Sequence, residues 1–385
     1  MTFGTFHNWM KSCLKQISFG LLLFLLIVLA LAPAVEQIAG REIALSKIYH
    51  SEWFVAGWAA LTASAFLYLF QQRLYRRKAV FFIHCAFGII LTGAFVTYAT
   101  ADRGYLHLRQ GKPQNAYTPE DETTQRPLPF DVKLVLFEID YHPGTDQPAD
   151  FISFLQIDGK MCKVSMNHIH TCRQYRFYQL SYDSDEMGVV LLVYRDPWGI
   201  GITYAGYILL AIAGLAFLAL RIGWKGLLAV FLPAAALWYF ISQLRPMTPL
   251  LRTPLLAWHV SVIMLAYLLF LFIAITSAIG LASKKQRDRL YRWNIRLLYP
   301  ALFLLAAGIF IGAVWANISW GRYWGWDAKE TWALITLLVY ALPLHRKSLP
   351  FFSDPYKFHL YGLLAFLTVL MTFLGVSFLL SGMHS

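Results

Sequence analysis

A chain of 385 residues that is 58% hydrophobic and only 14% charged is too apolar for a soluble globular fold. Its net charge of +12 falls in short basic runs between apolar segments, which points to membrane topology and away from a nucleic-acid partner.

In chain order, apolar runs long enough to span a bilayer fall at about 17–35, 53–70 and 79–98, then, after a polar segment, at 198–220, 226–242, 256–281, 299–317, 331–345 and 360–381. The expected fold class is therefore an all-α polytopic membrane bundle of about nine transmembrane helices, N-terminus in and C-terminus out. The first run is long and lacks a small-residue cleavage site, so it reads as a retained anchor. On this topology the inner segments 1–16, 71–78, 221–225, 282–298 and 346–359 hold 2, 4, 2, 6 and 3 Lys and Arg. The outer loops 36–52, 243–255, 318–330 and 382–385 hold six together, the asymmetry that the positive-inside rule describes.

The polar segment, 99–197, carries 14 acids against 10 bases and lies outside. Its stretches FDVKLVLFEIDY, FISFLQI and MGVVLLVYRDP alternate or run apolar between Pro, Gly and Asp, which predicts a small β-rich extracytoplasmic domain. The expected division is 1–98 for the first three spans, 99–197 for the β-rich domain, 198–225 for the fourth span and an inner loop, and 226–385 for the remaining spans. Cys162 and Cys172 fall in this outer domain, where a disulfide between them is left open by the sequence. Cys13 and Cys85 read as inner-side thiols. His168 and His170, in NHIH, read as surface residues more than as a metal site.

Four of the eleven histidines mark membrane depth. His84 sits six residues into the third span and His345 ends the eighth, both toward the inner face. His259 opens the sixth span and His384 follows the last, both at the outer face. Ionisable side chains in spans face the bundle interior, and paired imidazoles from different helices suit the two axial positions of a haem iron. The pattern predicts one haem (haem b) near each face. His359, at the inner start of the last span, is a rival for the inner role. No C-x-x-C-H occurs, so the chain has no site for attaching a c-type haem to itself.

Between spans seven and eight lies WGRYWGWDAKETWALI. Trp320, Trp324 and Trp326 offer flat apolar faces suited to a planar macrocycle at the interface. Arg322 and Lys329 suit carboxylates such as haem propionates. Asp327 and Glu330 read first as a capping box for the following helix.

The segment GAVWANISWGRYWGWDAKETWALITLLVYALPLH resembles the tryptophan-rich "WWD" signature of haem-handling membrane proteins, in particular the CcsA/ResC branch of system II cytochrome c biogenesis. LLAWHVSVIMLAY and FLGVSFLLSGMHS resemble that branch's external-histidine segments. FFIHCAFGIILTGAF, HTCRQYRFYQLSYD and VYRDPWGIGITYAG resemble the CcsB/ResB partner, so the chain looks like a fused CcsB–CcsA protein. The resemblance implies His259 and His384 as external haem ligands and His84 and His345 as transmembrane ones. It further implies a holocytochrome c synthase, or cytochrome c haem lyase, of the bacterial inner membrane with its reactive site on the periplasmic face. The implied partners are an apocytochrome c bearing C-x-x-C-H, a thiol-reducing thioredoxin-like protein and membrane lipid, with no nucleic acid. The outer segment is short for this family. Two other readings share the paired histidines: a haem exporter or chaperone without ligation activity, and a b-type membrane cytochrome.

Overall fold

The computed structural model describes residues 3–120, 123–166, 168–243 and 253–380. Helix α1 is Phe3–Ala39, followed by a short α2, Arg41–Ala44, and a π turn, Leu45–Tyr49. Helices α3 (Glu52–Gln71) and α4 (Lys78–Thr100) lead into eight strands, after which come α5 (Gly199–Gln243), α6 (Pro254–Ala282) and α7 (Lys284–Trp320). Helix α8 (Ala328–Ala341) and α9 (Pro355–Leu370) follow, the latter continuing through a π turn into α10 (Val376–Leu379).

Among the described residues, seven helices are long and apolar enough to cross a membrane, and the protein is a multi-pass membrane protein. One of the seven, α5, has 45 residues, about 68 Å at 1.5 Å per residue and roughly twice a bilayer core. It breaks at Gly223 (φ 68°, ψ 178°), a left-handed conformation that glycine adopts without strain, so the expected fourth and fifth runs meet at a single residue. The expected eighth run is α8, only 14 residues long. It gives way at Leu342–His345 to a tighter 3-10 turn with Pro343 near its start, since proline cannot continue an α-helix. His345 therefore sits in that turn.

The bundle closes through small residues. A Cβ on Gly93 would meet Thr203, and one on Gly199 would meet Thr97, which locks α4 against the start of α5. Likewise Gly308 of α7 admits Ile263 of α6. In a membrane, where lipid tails are as apolar as leucine, such close backbone approach is what favours helix association. Phe270, Leu298, Leu305, Tyr340 and Phe358 fill the centre, with Phe270 and Tyr340 stacked at 4.0 Å. On the other side Leu25, Leu29, Tyr49 and Phe54 pack on Ile335 of α8.

The polar segment is an antiparallel sheet, as its alternation predicts, with strand order β5-β4-β3-β2-β1-β8-β7-β6. The strands are β1 Asp102–Arg109, β2 Pro113–Pro119, β3 Arg126–Tyr141, β4 Pro148–Ile157, β5 Lys160–Ser165, β6 His170–Cys172, β7 Tyr175–Tyr182 and β8 Gly188–Arg195. In β3, Leu128, Phe130, Val132 and Leu134 are buried at every second position, as a half-buried strand requires. The sheet curls until its ends meet: Arg173 donates to Asp158 (2.8 Å) and Ser153 to Gln179 (2.6 Å) across the seam. Cys162 on β5 and Cys172 on β6 face this seam from opposite sheet ends and are free thiols, not a hairpin disulfide. Burial, with Cys172 adding to it, pushes the Cys162 thiol up to about 11.

Candidate functional site

The two predicted inner histidines come together. His84 of α4 and His345 have ring centroids 6.1 Å apart with planes at 89°. In each ring Nδ1 lies on the backbone carbonyl four residues earlier, Val80 at 2.8 Å and Ala341 at 3.0 Å. A carbonyl only accepts, so Nδ1 carries a proton in each ring, and in the neutral ring Nε2 is then the nitrogen with the lone pair. That is the tautomer an axial ligand needs, fixed by a backbone partner. Phe19 packs edge-on to His345 at 5.9 Å, a neighbour that no sequence signal marks.

His359 is placed differently. It is fully buried, its Nε2 donates to the Arg287 carbonyl at 3.0 Å, and its Nδ1 accepts from Ser277 Oγ at 3.3 Å. The ring fills the space above Gly280, where a Cβ would meet it at 2.6 Å. Both nitrogens are spent on joining α9 to α6 and α7.

At the opposite end of the bundle, Nδ1 of His259 donates to the Gly308 carbonyl at 2.7 Å. A Cβ on Gly312 would lie 2.5–2.6 Å from the same ring, so the imidazole rests in the space that Gly312 of α7 leaves open. Trp258, beside it, stacks on Trp238 of α5 at 5.0 Å. The predicted partner, His384, lies outside the described residues.

The tryptophan loop starts where α7 ends, at Gly321 (φ 74°), against Tyr178 and Leu192 of the sheet. The loop and the sheet thus share one end of the bundle, and the His84–His345 pair lies toward the other. Trp326 is held at a left-handed φ of 55°, uncommon for a non-glycine residue. It stacks on Tyr49 at 4.8 Å and meets Phe54 edge-on at 5.4 Å and Trp324 at 5.7 Å. Trp320 meets Trp315 at 4.7 Å. The indole N–H groups of Trp315, Trp324 and Trp332 are buried with no hydrogen-bond partner among the described residues.

The predicted capping box is present. Asp327 accepts from the Lys329 N–H at 2.8 Å, and Glu330 reaches back to the N–H groups of Gly325 (2.8 Å) and Asp327 (3.2 Å). Burial pushes the Glu330 carboxyl up to about 7. Two grips that sequence reasoning missed hold the loop. Arg41 donates to the Gly325 carbonyl at 3.0 Å. Tyr323 donates to Thr97 at 2.7 Å, and Thr97 donates in turn to Asp196 at 2.7 Å, the residue that caps the start of α5 through the Gly199 and Ile200 N–H groups. Separations of 226 and 284 residues leave no local pattern to find them by.

No group of three or more His, Cys, Asp and Glu that would hold a bare metal ion occurs among the described residues, His168 and His170 included.

Residues 198–384 match the family described as Cytochrome C assembly protein, and residues 68–199 match the ResB-like family. Protein NrfI of Wolinella succinogenes is 39% identical over 167 residues, 40% of this chain and 18% of that protein. The cytochrome c biogenesis protein CcsA of Guillardia theta is 33% identical over 175 residues, 38% of this chain and 58% of its own length. CcsA of Chlamydomonas reinhardtii is 33% identical over 156 residues, 38% of this chain and 44% of its own length. The chain therefore spans less than two thirds of each of these relatives.

Proposed function

The chain joins a ResB-like region to a cytochrome C assembly region, as a fused CcsB–CcsA protein of cytochrome c biogenesis does, and from that premise we propose that it carries haem across the membrane and attaches it to apocytochrome c. The observation that supports the reading is the inner pair, two imidazoles from different parts of the chain brought to 6.1 Å between ring centroids, each with Nδ1 tied back to a backbone carbonyl.

In this reading His84 and His345 receive haem near the inner face, and His259 and His384 ligate it at the outer face. Trp320, Trp324 and Trp326 cover the ring, while Asp327 and Glu330 aim the loop and Arg322 and Lys329 meet the carboxylates. The chain lies in the bacterial inner membrane with the loop on the periplasmic side, and its remaining functional neighbours are a thioredoxin-like reductant and lipid. An apocytochrome C-x-x-C-H segment supplies two thiols. Each S–H adds across one vinyl C=C, forming one C–S and one C–H bond with no leaving group. This chain contributes ligation, orientation and shielding, and the reactive groups belong to haem and substrate.

The test is co-expression with a C-x-x-C-H reporter in cells lacking their own maturation proteins, reading haem that stays on the reporter after denaturation. Haem on the reporter, lost in His84→Ala, His345→Ala, His259→Ala and His384→Ala, is the expected result. A protein that binds haem but leaves the reporter bare would be an exporter or a b-type cytochrome.

A further inference from the structure

We propose that Tyr68 of α3 is a positioning residue for the inner histidine pair: through Ser348 it holds the turn that carries His345. The proposal rests on the haem-handling reading above and deepens it, since the aim of one ligand then depends on a hydroxyl from a helix that bears neither histidine.

His345 stands where regular helix has ended. Helix α8 stops at Ala341, the 3-10 turn Leu342–His345 follows, and Pro343 in that turn has no N–H to tie it to the preceding helix. The backbone then folds back on the histidine. The His345 carbonyl accepts from the Ser348 N–H at 2.8 Å and from the Leu349 N–H at 2.9 Å. Ser348 is gripped in turn from a distant part of the chain: Tyr68 donates its hydroxyl hydrogen to Ser348 Oγ at 2.8 Å, across 280 residues. One side-chain bond, one residue and one backbone bond thus connect Tyr68 to the ligand.

Helix α3 braces the other ligand as well. A Cβ on Gly88 would meet the ring of Phe66 at 2.7 Å, so Phe66 packs directly on the α4 backbone one turn beyond His84. Phe66 and Tyr68 are two residues apart and point about 200° from each other round the helix axis, at 3.6 residues per turn. Helix α3 therefore meets α4 on one side and the His345 turn on the other, and its place bears on the 6.1 Å between the two ring centroids. Groups that hold a ligand without touching the metal fix its orientation, and losing one lowers metal affinity by about 10–100-fold. Tyr361 offers the comparison. Its hydroxyl donates to the Val339 carbonyl at 2.8 Å, on the stem of α8 and short of the turn.

The test uses the full chain in detergent with His259→Ala, so that a bis-imidazole signal reports the inner pair, freed of haem and titrated with haem. Affinity is read from the bis-imidazole absorption. Ligand orientation is read from the anisotropy of the low-spin ferric EPR signal, which depends on the angle between the two axial imidazole planes. Tyr68→Phe, which keeps the ring and removes only the hydroxyl, is expected to weaken binding by about tenfold and to shift the EPR signal. Ser348→Ala is expected to do the same, and the double variant to do no more than either alone, because both act through one bond. Tyr361→Phe, an equal loss of a hydroxyl, is expected to leave affinity and signal as they are. An unchanged affinity and signal in Tyr68→Phe, or an equal change in Tyr361→Phe, overturns the positioning role alone. A background protein with no bis-imidazole signal, or with one that survives His84→Ala, overturns the haem reading of the inner pair, and the role of Tyr68 falls with it.

Discussion

Glu330 shows how one residue serves structure and invites a pH test. Its carboxyl closes a capping box, which asks for an acceptor, yet burial raises its pKa from the ordinary 4.5 to about 7. The folded protein thus binds a proton that the unfolded chain has already lost between pH 4.5 and about 7. The contribution of Glu330 to stability is most favourable below that window and falls as pH rises through it. Infrared difference spectra should show a protonated carboxyl titrating near pH 7, absent in Glu330→Gln, whose stability should vary less across the same window. A carboxyl band gone by pH 5 would contradict the burial argument. The box itself was legible in D-x-x-E, because capping is local. The grip of Arg41 on Gly325 was not, because it joins residues 284 apart through a contact that only the assembled bundle creates.

Elements were legible to the degree that one signal defines them. Apolar runs gave the spans because bilayer thickness sets a length that sequence displays directly. The break at Gly223 and the shortness of α8 depend on where the chain turns, and a hydropathy run does not record a turn that polar residues do not mark. In the sheet, β3, β4 and β8 stand out by their apolar positions, whereas β1 opens on Asp102 and Arg103 and β2 places Gln114 and Asn115 on exposed positions, so neither displays a comparable apolar run. The space beside Gly312 is likewise visible only once His259 lies in it. Gly312→Ala should force the imidazole off the Gly308 carbonyl and destabilise the protein by about 1–3 kcal/mol, the usual cost of overpacking. Thermal unfolding in detergent measures it, and an unchanged midpoint would mean that α6 and α7 separate easily.

Over the whole molecule, the loop is a keystone between distant parts. Tyr49, 3% exposed and stacked on Trp326, joins the N-terminal segment to it, while Tyr323 ties it to the foot of the sheet. Tyr49→Ala should cost about 3–5 kcal/mol by analogy with other buried aromatic truncations. It should also raise hydrogen exchange at residues 321–327 well before it affects the centre of α6 and α7. Uniform loosening of all helices would argue instead that Tyr49 supports the bundle in general. The histidines were placed by depth from the sequence, yet only the folded chain shows that His359 spends both ring nitrogens on its neighbours while His84 and His345 come together.

The two grips on the loop also bear on what it means that both regions lie in one polypeptide. Both come from residues before the assembly region, so two separate chains would have to find each other in the plane of the membrane before the loop took its shape. Tethering makes that encounter intramolecular, at an effective concentration in the millimolar range for short connections. With Arg41, Thr97 and Asp196 on the same chain as the loop, its shape depends on intramolecular contacts and not on the concentration of a second subunit.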